Sequence, residues 1–418
     1  MAEITSTNEI KGESKLTFLE STGVLLGHEV GAGILSIPYL ASRNNWWDFI
    51  WILIVTFLIN TLLHLMIAEL SLNNKGKQFV ECMRNELFKG KDNKATKIVT
   101  WIIFGFLGLS VVINCTAYIT GAASVLESWF NLPGWAAMLI YYVVAGFIVL
   151  FGMKVVGVSE KISSYVLIGV ILLFGIIMIA APSEGGLSRQ IGDIAGYRVV
   201  LGLYSIVSFA MSAVMSVPTI VKGLEGDKKK IRWSIILSEI LNSILIVIIT
   251  IATVIGAGYQ NLHDNKPASL DLGDYLSRVM TKEWLGKTVQ IFGYVFSLFA
   301  YSTSLWANTL DLRDMVSEQT GMNKKLSWLI SSLPSLILAI IIGVLSLFTL
   351  SKLSTLAGGI QVLTSAAIVI SFAISRKKQK ELEGFDVKET ITWHFGSIGF
   401  CVLVILSSLI ATIGSIVY

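Results

Sequence analysis

Eleven apolar stretches, each near the ~20 residues that a helix needs to cross a hydrocarbon core, constrain this chain more than any other feature. They fall at roughly 16–42, 48–71, 97–128, 133–153, 161–181, 196–221, 232–259, 285–312, 327–350, 353–375 and 393–418. None shows the strict alternation of a barrel strand, so an all-α membrane protein is expected. Charged residues make up 14% of the 418, and 54% are hydrophobic, whereas soluble domains carry about 25% charged residues. Mean hydropathy is +0.72. A soluble enzyme is excluded, and no phosphate loop, nucleophile elbow or metal cluster suggests covalent chemistry or a cofactor. The net charge of +4 is too small to point to nucleic acid. Cys82, Cys115 and Cys401 lie too far apart in sequence for a disulfide framework or a zinc site. Residues 1–15 are polar, include Glu3, Glu9 and Glu13, and read as a cytoplasmic tail rather than a signal peptide.

Basic residues test the topology independently. With a cytoplasmic N-terminus, 24 of the 32 Lys and Arg fall on cytoplasmic segments, as the positive-inside rule requires. Eleven spans then leave the C-terminus outside, in a plasma-membrane protein. Two polar intervals stand out, a basic one at 73–96 and an external one at 260–286. In the second, Asp271 to Leu276 suggests a short surface helix or lid.

The first span contains Ile34-Leu35-Ser36-Ile37-Pro38 and the sixth Val214-Met215-Ser216-Val217-Pro218, offset by 180 residues in both Ser and Pro. Five crossings between the copies give them opposite orientations. The expected organisation is an inverted repeat of spans 1–5 (16–181) and 6–10 (196–375), with an added span at 393–418. Gly31 and Gly33 weaken the first helix, and Pro38 and Pro218 each remove a backbone donor and clash with the preceding turn. Such matched interruptions are tolerated at membrane depth only where they line a cavity, and they point to a substrate site. The first halves should end near Val30 and Met211 with open carbonyls, and the second half of span 1 should begin near Gly33 with open N–H groups. One cavity presenting both kinds of helix end suits a zwitterion, hence an α-amino acid.

Gly31-Ala32-Gly33-Ile34-Leu35-Ser36-Ile37-Pro38 resembles the first-helix motif of the amino acid–polyamine–organocation superfamily, in particular its amino acid/auxin and hydroxy/aromatic amino acid permease branches. Ser208-Phe209 through Val217-Pro218, the basic loop from Gly226 to Arg232, and Ser302-Thr303-Ser304 with Leu310-Asp311 and Asp314 are similar to the sixth and eighth helices of those permeases. The resemblance implies the five-plus-five inverted-repeat fold of the bacterial leucine transporter, with 11 transmembrane helices, broken helices 1 and 6, and alternating access. It implies that Gly31, Ala32, Gly33 and Ile34 meet the substrate carboxylate. Phe209, Ala210 and Ser212 would lie in the sixth-helix break, with Phe209 or Met215 covering the side chain. The break carries none of the glycine or histidine common in the hydroxy/aromatic branch, so no side-chain preference carries over. Asn114 and Tyr118, one helical turn apart on span 3, complete the expected substrate set.

The sodium site of this fold uses first-helix carbonyls and an Ala-x-x-(Thr/Ser)-(Thr/Ser) pattern on helix 8. Ala300-Tyr301-Ser302-Thr303-Ser304 matches it, so the Ala300 carbonyl, the Thr303 and Ser304 hydroxyls and the Gly27 and Val30 carbonyls form a candidate Na+ cage. Ser and Thr also pack membrane helices together without binding anything. Some proton-coupled relatives place a lysine from helix 5 there. Span 5 has none, and Lys161 is expected to snorkel to the interface. Glu29, beside His28 and two residues before Gly31, is a functional candidate by its depth in the membrane. It is open between proton carrier, ligand of a cation or cationic side chain, and structural acceptor. Glu69, Glu239 and Asn242 read equally well as interhelical hydrogen-bonding groups, and Asp311, Arg313 and Asp314 as an ion-pair gate or a solvated loop. Trp46 and Trp47 read as an interfacial belt.

The expected function is secondary active import of an amino acid, coupled to Na+ first and H+ second. The alternative is a membrane amino acid sensor or germinant-receptor subunit on the same scaffold. Oligomeric state is not readable from the sequence.

Overall fold

The described residues of the expected spans are mainly helical, and local chemistry sets where many of the helices begin. The computed structural model describes residues 15–31, 34, 36–89, 93–183, 196–264, 283–345, 350–382 and 384–417. The tail before residue 15 and the segment at 271–276 expected to form a surface helix lie outside them. Thr17 and Glu20 cap α1 (Phe18–Glu29) reciprocally: the Glu20 N–H donates to Thr17 Oγ1 at 3.3 Å and the Thr17 N–H to Glu20 Oε2 at 2.8 Å. Asn45 accepts from the Asp48 N–H at 2.7 Å to open α3 (Trp46–Asn73). Asn93 and Asp227 do the same for α5 (Lys94–Phe130) and α10 (Lys228–Ala257).

The other elements are α2 (Ile37–Ser42), α4 (Phe79–Leu87), α6 (Gly134–Tyr141), α7 (Met153–Ala180), α8 (Tyr197–Ala210), α9 (Val217–Gly223) and α11 (Tyr259–Asp264). They continue with α12 (Glu283–Thr320), α13 (Lys324–Leu345), α14 (Leu350–Lys380) and α15 (Ile398–Val417). Among the described residues, eight helices are long and apolar enough to cross a bilayer. The other three expected spans, at 16–42, 285–312 and 353–375, are outside that set; their described residues lie mainly in α1 and α2, in α12 and in α14. Beyond α6 the fourth span tightens from a π-helical turn (Tyr142–Gly146) into a 3₁₀ turn (Phe147–Phe151). Its Ala145 and Gly146 carbonyls accept from the Trp306 and Trp328 indoles at 2.8 and 3.2 Å.

Pairing follows the repeat. Under exchange of spans 1–5 with 6–10, α1 and α2 packing on α10 becomes α8 and α9 packing on α3. Likewise α5 against α14 becomes α12 against α7, and α7 against α10 becomes α14 against α3. α1 rests on α7, whereas α8 rests on α15, the helix beyond the repeat. Large apolar side chains such as Leu58, Phe106, Ile176 and Leu406 face outward, a surface that lipid covers and water would not tolerate. The interior holds the polar groups.

Span 5 departs from expectation. It begins at Met153, not near 161, because its charges have partners: Lys154 Nζ sits 2.6 Å from Glu20 Oε2, with Lys161 Nζ 3.9 Å from the other oxygen. The prolines also act differently from expectation. Pro38 and Pro218 occupy the first turns of α2 and α9, where a missing N–H is harmless. They start the second halves rather than kink a continuous helix. The α-helical part of the second half of span 1 begins at Ile37, after 3₁₀ geometry at Ile34 and Ser36; Gly33, near which the sequence places that start, lies outside the described residues.

Candidate functional site

The first halves end where the Gly and Pro signals place them, with Val30 and Met211 as C-caps. Beyond α1 the Gly31 N–H donates to the Glu29 carbonyl at 2.7 Å. Beyond α8 two backbone groups are satisfied by neighbouring spans. The Ala210 carbonyl accepts from Asn242 Nδ2 at 2.8 Å, and the Ala213 N–H donates to His64 Nε2 at 3.0 Å. A buried break needs such partners, since an orphaned backbone group in a dry interior costs as much as a lost hydrogen bond.

A cavity of about 30 Å³ lies between the breaks. Glu29, Gly31, Asn114, Tyr118, Phe209, Ser212 and Met215, all named from sequence, line it. Ala32 and Gly33 lie outside the described residues. Ile34 is buried in an apolar cluster with Val30, Ile37 and Tyr39, and the Ala210 carbonyl turns to Asn242, so neither residue is among those lining the cavity. His28, Ser110, Asn308, Thr364 and Ser365 also line it, and sequence reasoning misses them as site residues. Lone polar residues on apolar helices usually mean packing, and only proximity marks these as different. The volume is on the order of one or two waters, so admitting an amino acid requires side chains such as Phe209 and Met215 to move aside.

Behind Glu29 stand His64 and Glu239, and one ligand atom of each lies within 4.8 Å of the others. Ser238 Oγ donates to Glu29 Oε1 at 3.1 Å, and His64 Nδ1 faces Glu239 Oε1 at 2.9 Å. Because His64 Nε2 accepts from Ala213, a neutral His64 carries its hydrogen on Nδ1. Neither ring nitrogen then offers a lone pair, so the trio does not fit a transition metal. Glu29 Oε2 and Glu239 Oε2 have no hydrogen-bond partner among the described residues.

His28 ties the two breaks to α12. Its Nδ1 is 2.8 Å from Ser216 Oγ and its Nε2 is 3.2 Å from the Asn308 amide. Ser216 and Thr219 donate to the two oxygens of Asp311 at 3.0 and 2.6 Å. Asp311 is therefore a buried acceptor. Asp314 pairs with Arg313 at 2.8 Å and Lys324 at 2.9 Å, with Lys222 at 3.9 Å. Arg313 and Asp314 are nearly inaccessible, and α12 runs on to Thr320. This segment is an ion-pair cluster between helices and not a solvated loop.

The proposed ion ligands meet where α1 touches α12. Thr303 Oγ1 donates to the Ala300 carbonyl at 3.0 Å. Side chains placed on Gly27 and Gly31 would begin 3.1 Å from Thr303 Cβ and 2.7 Å from Ser304 Oγ. Val30 and Ala300 belong to one buried cluster. At this meeting point stands Glu160 of α7, a residue that no sequence signal singles out.

The model of the tryptophan/tyrosine permease family matches residues 14–412. No curated protein matches the sequence. Among solved structures, MhsT in complex with L-phenylalanine aligns with a TM-score of 0.67 at 15% identity, covering 97% of this chain and 98% of that one. A manganese transporter of Eremococcus coleocola, in complex with an aromatic bis-isothiourea substituted compound, aligns at 0.59 with 13% identity, over 98% and 89% of the two chains. A histidine-to-alanine mutant of that transporter aligns at 0.56 with 15% identity, over 97% and 89%. At these identities the likeness is one of fold.

Proposed function

The chain belongs to the tryptophan/tyrosine permease family, and on that premise we propose that it imports an aromatic amino acid by alternating access, driven by Na+. The observation that carries this reading is the cavity itself. Two interrupted helices meet there, a carboxylate (Glu29) stands at one edge, and Phe209, Met215 and Tyr118 supply an apolar and aromatic wall. Glu29 and the open end of α1 suit the substrate ammonium, the backbone around Gly31 its carboxylate, and the wall a ring. The family name and the phenylalanine bound to MhsT favour an aromatic side chain. Binding energy spent on drawing the halves together makes transport a population shift between outward- and inward-open forms. The basic end, with Lys222, Arg313 and Lys324, would face the cytoplasm.

The second reading, H+ coupling, is favoured by the unpartnered oxygens of Glu29 and Glu239 beside the cavity. Uptake of labelled tryptophan, tyrosine and phenylalanine into proteoliposomes tests both. Concentrative uptake under an imposed Na+ gradient is expected. Uptake only under a proton gradient would replace the coupling ion, and no uptake or exchange of any amino acid would refute the proposal.

A further inference from the structure

We propose that Glu160 is an anionic ligand of the coupling cation, an inference that rests on the Na+-driven reading above. Its carboxylate enters the junction of α1, α7 and α12. A side chain on Gly27 would collide with Glu160 Oε2, and the same point lies 3.1 Å from Thr303 Cβ. Glycine is what admits the acid. Gly23, one turn earlier, does the same for the backbone: a side chain there would begin 2.8 Å from Lys161 Cα. This Gly-x-x-x-Gly face brings α7 close enough to deliver a short acidic side chain between α1 and α12.

Glu160 is fully inaccessible, and neither of its oxygens has a hydrogen-bond partner among the described residues. The basic residues nearest in sequence, Lys154 and Lys161, are engaged with Glu20. Asp311, a buried acid of α12, is already served by Ser216 and Thr219. A bare carboxylate so buried costs several kcal/mol unless a cation or a proton compensates it. The candidate ligands that the sequence names on α1 and α12 are all oxygens: the hydroxyls of Thr303 and Ser304 and the carbonyls of Gly27, Val30 and Ala300. Oxygen-only sets select hard cations, and one carboxylate among neutral donors balances a single positive charge. The site is thus anionic and suited to Na+, rather than a cage of neutral oxygens.

The test is the unfolding temperature of the purified full-length protein as Na+ replaces choline at constant ionic strength and pH, with and without L-tryptophan. Wild type is expected to gain stability with Na+ and not with choline. Glu160→Gln should raise the midpoint in choline, because a bare charge is gone. It should also weaken the half-saturating Na+ concentration by about tenfold or more, the scale of losing a charged partner. Thr303→Ala should weaken the same response with Glu160 intact, which keeps the test open if Glu160→Gln folds poorly. A Glu160→Gln variant with wild-type Na+ response overturns the proposal. So does a wild type stabilised by tryptophan but indifferent to Na+, an outcome that leaves the amino-acid reading standing. A Na+ response lost in Glu160→Gln with no tryptophan response in wild type supports the ligand and removes tryptophan as the substrate.

Discussion

The two helix breaks are held in different ways. The break after α8 is braced from outside: Asn242 takes the Ala210 carbonyl, His64 takes the Ala213 N–H, and Ser216 is tied to His28 and Asp311. The described part of the break after α1 has internal backbone bonds from Gly31 and Ile34, and beside it Glu29 Oε2 and both oxygens of Glu160 have no hydrogen-bond partner among the described residues. The two breaks occupy matching places in the packing of the two halves, but their neighbours differ. Satisfied networks rigidify, whereas bare carboxylates in a dry interior call for a cation. On the proposed function, the sixth-span break would be the fixed wall of the site and the first-span break the side that ligands complete.

Substitutions can break or sharpen that contrast. The largest effect is expected from Gly31→Val, which fills the cavity and presses on Ser304: uptake should fall to background, and wild-type transport would mean that the first break does not meet the substrate. His64→Ala should instead act on stability. It orphans the buried Ala213 N–H at a cost of about 1–3 kcal/mol, read as a lower unfolding temperature, with tryptophan binding surviving in the folded fraction. An unchanged midpoint would show that the second break is not braced. Ser238→Ala removes one hydrogen bond to Glu29 and should cost least, about 0.5–1.5 kcal/mol, with transport retained. A loss as large as that of His64→Ala would make the first break as braced as the second and erase the distinction.

Much of the scaffold is legible in the sequence because lipid imposes a simple code. Span limits follow from apolar length, and the ends of both first halves follow from Gly31, Pro38 and Pro218. Seven cavity residues are also readable, through the repeat and the resemblance. The misses share a physical cause. Lys154 and Glu160 look like the end of a span because charges belong outside lipid; only the folded chain supplies the Glu20 partner and the Gly27 notch. His28 and Ser216 join Asn308 and Asp311 in one network from far away in sequence, so nothing local distinguishes His28 or Asn308 from a packing group. The prolines mark the interruptions, but that they open the second halves is not readable locally, because helix interior and first turn differ only in where the helix begins.

The central claim is that an aromatic amino acid occupies the cavity between the breaks. Its most direct test is the alkylation rate of a Ser212→Cys variant, measured with and without L-tryptophan. Cys82, Cys115 and Cys401 are buried, so a background from them would be small. The new thiol should react with a maleimide in the free transporter and be protected by tryptophan or tyrosine in a saturable manner, while glycine leaves the rate unchanged. A reaction rate indifferent to every amino acid, in a variant that still transports one, would contradict the account.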